Sequence, residues 1–91
     1  DLTRNVKDQL FIYANPTSGR CNITIPEEFI HEKTLNLTIY NSLGIKIQSI
    51  DLPAVEEEIQ LNLSSHPAGI YHVVLNNGEK AYSGRIVIDS H

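Results

Sequence analysis

Leu61-Asn62-Leu63-Ser64-Ser65-His66-Pro67-Ala68-Gly69-Ile70-Tyr71-His72-Val73-Val74-Leu75-Asn76-Asn77-Gly78 is the stretch that decides the fold. It reads as strand, turn, strand, turn. Leu61 and Leu63 close an alternating apolar segment that starts at Ile59, the period-two mark of a half-buried strand. Pro67-Ala68-Gly69 then reverses the chain, and with His66 it matches a type I turn, proline second and glycine fourth. Residues 70–75 form the next strand. Tyr71, Val73 and Leu75 share one face, and the other face is also apolar except at His72, so the strand belongs in the middle of a sheet. Asn76-Asn77-Gly78 is a strong hairpin signal. Nothing in the stretch has the look of chemistry; it is scaffold.

Downstream, residues 80–89 make a last strand with Tyr82, Gly84, Ile86 and Ile88 on one face. Gly84 in mid-strand predicts a bulge or the close approach of a neighbour. Upstream, Ile45 and Ile47 are followed by Ile50 and Leu52, so the apolar phase slips by one, and a β-bulge is expected near Gln48-Ser49. Leu35, Leu37 and Ile39 alternate with Asn36, Thr38 and Tyr40, and Asn41-Ser42-Leu43-Gly44 is a hairpin-type loop. Residues 27–33 are too few for a stable helix and predict a loop with one helical turn. Cys21, Ile23 and Ile25 alternate with Asn22 and Thr24 up to Pro26, and residues 10–13 form a short first strand. About seven short strands with a turn every 8–12 residues predict an all-β fold, an Ig-like antiparallel β-sandwich.

Composition sets the outer limits. Ninety-one residues make one small domain with a thin core, burying about 60–65% of the unfolded surface. A net charge of -4 supplies no basic footprint, which disfavours nucleic acid as a partner. No apolar run nears a membrane span or a signal peptide. The polar, aperiodic residues 1–9 are expected to be a linker running into a domain over 10–91. The absence of Met and the start at Asp1 fit a piece of a longer protein. Cys21, the only cysteine, allows no internal disulfide and reads as a small buried apolar side chain.

Candidate chemistry is sparse. His31, His66, His72 and His91 have neither the i, i+4 helical spacing nor the Cys pairs of a metal site, so no cofactor or metal is expected. Cys21 and several serines exist, but no motif fixes a nucleophile, base and orienting group, and so small a sandwich has little room for a water-excluding pocket. An enzyme is not expected. Three Asn-x-Ser/Thr triplets, at Asn22, Asn36 and Asn62, fall inside predicted strands, where these residues populate a polar face. The Glu56-Glu57-Glu58 run reads as solvated.

The punctuation, taken in order, resembles the C-terminal sorting domain of proteins exported by the type IX (Por) secretion system, over residues 10–91. Four blocks carry the likeness: Tyr13-Ala14-Asn15-Pro16-Thr17-Ser18-Gly19; Leu37-Thr38-Ile39-Tyr40-Asn41-Ser42-Leu43-Gly44; Leu63-Ser64-Ser65-His66-Pro67-Ala68-Gly69-Ile70-Tyr71-His72-Val73; and Gly84-Arg85-Ile86-Val87-Ile88. Ala14, Ile45, His66 and the acidic Asp89 depart from the pattern. The resemblance implies a non-catalytic secretion signal that carries its cargo across the outer membrane. Its partners would be the outer-membrane translocon, shuttle proteins and a sortase-like cysteine peptidase that removes the domain. The cargo would transit the periplasm to the cell surface or the extracellular space. The positions it marks as the sorting motif are Asn15, Pro16, Gly19, Gly44, Pro67, Gly69, Tyr71, Gly84, Arg85, Ile86 and Val87. Open strand edges on a small sandwich would also permit a homodimer. The alternative from another class is an accessory β-sandwich module binding carbohydrate or protein. Against it, the chain has no Trp, and most of its Tyr and Phe residues read as core or strand positions.

Overall fold

In a computed structural model, which describes residues 9–13, 19–30, 34–52 and 57–89, seven strands form two antiparallel sheets. The strands are β1 (Phe11–Tyr13), β2 (Arg20–Thr24), β3 (Leu35–Tyr40), β4 (Lys46–Leu52), β5 (Glu58–Asn62), β6 (Gly69–Asn76) and β7 (Ala81–Ile88). The smaller sheet runs β1-β2-β5 and the larger β4-β3-β6-β7. This is the all-β sandwich that the alternation predicts, with β6 between β3 and β7 as its two apolar faces require. Of the helical turn expected within residues 27–33, the described part forms a 3-10 turn at Glu27–Phe29, and residues 31–33 lie outside the described residues.

The core lies between the sheets. From the smaller sheet come Cys21, Ile23 and Leu61; from the larger, Leu35, Leu37, Ile39, Tyr71, Val73, Leu75, Tyr82, Ile86 and Ile88. Leu37 lies opposite Leu75 and Leu75 opposite Tyr82, so the inner faces form continuous cross-strand rows. Phe29 plugs the space after β2. It is fully buried and meets Tyr82 edge-on, ring centroids 5.2 Å apart. A Lys80–Glu28 ion pair of 2.9 Å and a hydrogen bond from the Tyr82 hydroxyl to the other Glu28 oxygen tie the 3-10 turn to the start of β7.

The bulge expected near Gln48-Ser49 sits one residue earlier. Ile39 pairs with Gln48 and Tyr40 with Lys46, which leaves Ile47 as the extra residue. Both Ile47 and Gln48 then lie on the inner side, and this restores Ile50 and Leu52 to the core face. Gly84 marks close approach rather than a bulge, because the β6–β7 ladder runs unbroken from Gly69↔Ile88 to Asn76↔Ala81. A Cβ there would fall 2.6 Å from Ile12 Cδ1 and 3.2 Å from Leu10 Cβ. Beside it Leu10 N donates to Ser83 O at 2.8 Å, and Gln9 forms a parallel bridge with Ser83. The first strand segment therefore serves both sheets: Ile12 faces Ile23 across the smaller one and packs over Gly84 of the larger.

Phe11 and Tyr13, which the sequence reads as core or strand positions, are strand residues outside the core: they are 64% and 39% exposed, on the outer face of β1, their rings 5.8 Å apart. Leu10 and Ile12 take the inward positions, and in a run apolar on both faces only pairing with β2 sets the phase. The Tyr13 hydroxyl hydrogen-bonds Glu58 across β2, and this bond, which favours the neutral phenol, is the main cause that raises its pKa.

Cys21 is 3% exposed, and burial pushes its thiol pKa up. A thiol reagent added to the folded domain at neutral pH should therefore modify it far more slowly than after unfolding in denaturant. Equal rates in the two states would contradict the packing of β2 against β5.

Candidate recognition surface

The expected motif positions meet mostly at one end of the sandwich, where the β3–β4 turn, the β5–β6 turn and the last residues of β7 come together. Asn15 and Pro16 lie outside the described residues, as do His31 and His91. Gly19 is buried with φ +136°, and its carbonyl accepts from Leu63 N at 2.6 Å. A Cβ on Gly19 would fall 2.6 Å from Ser64 Cα. Only a residue without a side chain lets the chain entering β2 lie against the β5–β6 turn.

That turn is hydrogen-bonded three residues ahead of the expected place. Leu63 O accepts from His66 N at 3.0 Å, which closes Leu63–His66 rather than His66–Gly69. Gly69 already belongs to β6, paired with Ile88. The Pro67 carbonyl instead accepts the Tyr71 hydroxyl at 2.5 Å. A buried tyrosine near the start of the sixth strand, bonded back to the preceding corner, is the tyrosine corner of Ig-like sandwiches. It gives a physical reason for the spacing of Pro67 and Tyr71. His66 sits over the Tyr71 ring, centroids 6.1 Å apart. Tyr71→Phe should cost about 1–2 kcal/mol, read as a lower denaturation midpoint with an unchanged slope. A neutral result would contradict the corner.

Asn41, which the sequence places in a motif block but not among the key positions, organises the β3–β4 turn. Its Oδ1 accepts from Leu43 N and Ile45 N, at 2.9 and 3.0 Å, while its backbone bonds Gly44 N and Ile45 O, both at 2.9 Å. The available signal was the Asx-turn chemistry of Asn followed by Ser and, three residues on, Gly. Gly44 takes φ +83° with open space where a Cβ would be. Between the two turns lies a cleft of about 240 Å³ lined by residues that include Leu43, Ile47, Pro67 and Ile70. Leu43, Ile45 and Ile70 are 80%, 57% and 42% exposed.

The block Gly84-Arg85-Ile86-Val87 divides by face. Gly84 and Ile86 point into the core, with Ile86 fully buried. Arg85 is exposed opposite His72, and half-buried Val87 pairs with Ile70 beside the cleft. The Asn-x-Ser/Thr asparagines act structurally at two positions. Asn36 donates to Ser49 Oγ and Asp51 Oδ1, and Asn62 Oδ1 accepts from Ser64. Among the described residues no group of three or more His, Cys, Asp and Glu is placed to hold a metal, and no helix is long and apolar enough to cross a membrane.

Residues 11–89 match the secretion-system C-terminal sorting domain, and the chain belongs to that family. It is thus a C-terminal sorting signal of type IX secretion, the address that sends a protein to the cell surface or the extracellular space. A search of the curated proteins finds no match.

Proposed function

We propose that this domain carries an attached cargo through the periplasm and across the outer membrane without catalysing any reaction. The folded sandwich is read by the translocon and its shuttle proteins, and a sortase-like cysteine peptidase then removes it near residues 1–9, the linker that precedes a domain over 10–91. The family match along nearly the whole strand set carries this reading. Nine of the eleven expected sorting positions fall among the described residues, and they divide between two tasks. Gly19, Gly44, Pro67, Gly69, Tyr71, Gly84 and Ile86 hold the shape, and Arg85 and Val87 lie on the outer face of β7. Recognition through the edge of β7 by strand addition has to contend with Leu10, which already bonds Ser83 there. Removing residues 85–91 also strips Ile86 and Ile88 from the core, so a loss of export on truncation would mix recognition with unfolding.

Removal has its own test. A reporter fused ahead of residues 1–91 is collected from the surface of a type IX bacterium, and its C-terminus is read by mass spectrometry. A reporter ending at or before the first residues of this chain is the expected product. A delivered reporter still carrying the sandwich contradicts removal.

A second reading, an accessory module for a carbohydrate, has one observation in its favour. Phe11 and Tyr13 stand side by side and exposed, with Asn22 and Gln60 in register beside Tyr13. Glycan binding by the isolated domain that disappears in Phe11→Ala would support it.

A further inference from the structure

We propose that the sorting domain is gripped at the cleft between the β3–β4 and β5–β6 turns, by a protein partner that inserts an aliphatic or aromatic side chain there. Three of the five large apolar residues exposed on the described surface, Leu43, Ile45 and Ile70, crowd this one end. Both walls are held before any partner arrives. Asn41 clamps one turn with its side chain and backbone, and the Tyr71–Pro67 bond fixes the other corner. Walls already fixed lose little freedom when a ligand seats between them.

The chemistry of the lining selects the occupant. No Lys, Arg, Asp or Glu lines the cleft, so its complement is an uncharged apolar group. An anionic lipid surface is a poor match, because such binding draws on clustered Lys and Arg and the chain carries a net charge of -4. A sorting signal implies a partner in the secretion machinery rather than a second copy, and the transient contact of a carrier needs less than the roughly 800 Å² per partner that a stable dimer buries. One anchor residue in a central pocket is how small interfaces concentrate their affinity.

The inference rests on the sorting reading and names the surface through which it works. The test compares a signal-peptide–reporter–1–91 fusion with its Leu43→Ser/Ile45→Thr/Ile70→Thr variant in a type IX bacterium. A photo-crosslinking residue is placed at position 43 or, for comparison, at position 11. The expected result is a variant that melts with the parent yet reaches the surface at roughly one tenth of its level or less, the scale of losing one buried anchor. Position 43 should cross-link to a component of the secretion machinery and position 11 should not. If the triple variant melts early, Leu43→Ser alone, at a side chain 80% exposed, takes its place. Undiminished delivery of a folded variant, or a cross-link from position 43 only to a second copy, overturns the inference while leaving the sorting reading intact. Failure of the parent fusion to reach the surface overturns both.

Discussion

Gly19→Ala will lower the stability of the domain by about 2–5 kcal/mol, while Gly44→Ala will cost about 1 kcal/mol. Both glycines have positive φ, +136° and +83°, so both substitutions carry backbone strain. The difference lies in what a new methyl meets. At Gly44 there is nothing within 4 Å. At Gly19 the Cβ lands 2.6 Å from Ser64 Cα and 2.8 Å from Ser64 N, which is backbone and cannot swing aside. Relief requires the β5–β6 turn to move, and that strains the Leu63 N to Gly19 O bond of 2.6 Å and the corner beyond it. Denaturant unfolding of the two variants checks the ranking. Equal costs would mean that the approach of Gly19 to Ser64 is not a native contact.

Phe29→Ala should be at least as damaging, about 3–5 kcal/mol. The ring is fully buried and seals the core where β2 has ended, and its edge-on partner Tyr82 would lose its contact as well. In a domain of this size each kcal/mol moves the thermal midpoint by roughly 4–8 °C, so the variant should be partly unfolded at growth temperature. Phe29→Leu, which keeps most of the volume, should recover most of the loss. A calorimetric scan of the three proteins decides, and an unshifted midpoint in Phe29→Ala would contradict the placement of the 3-10 turn over the core.

Much of this fold is legible locally. Leu35, Leu37 and Ile39, or Tyr71, Val73 and Leu75, declare the inward face by simple alternation, and all six are buried. What local pattern cannot carry is information that lives in a partner strand. The slip between Ile47 and Ile50 shows that a bulge exists, but pairing with Ile39 and Tyr40 decides which residue is extra. Phe11 and Tyr13 could not be phased within so short a run, and β2 and the approach of Ile12 to Gly84 turn them outward. Gly19 gives no local sign that it faces Ser64, 45 residues away.

The proposed recognition end was legible as punctuation and not as a surface. Pro67, Gly69 and Tyr71 stand out in sequence by their spacing, and the structure supplies the reason in a hydroxyl bonded to the Pro67 carbonyl. Leu43 and Ile70 do not stand out at all, and Ile45 does so only as a departure from the family pattern, since an apolar residue in a strand or hairpin is ordinarily read as core. Only assembly of the two turns shows that these three are left outside.

The central claim is that this sandwich, as a folded unit, is sufficient to address a protein to the cell surface. Its most direct measurement is the accessibility of a periplasm-targeted reporter to added protease, with and without residues 1–91 fused behind it, in a type IX bacterium and in the same strain lacking the translocon. The account predicts digestion of the fused reporter in the intact strain alone. A fused reporter that stays protected in the intact strain, as the unfused one does, would contradict it.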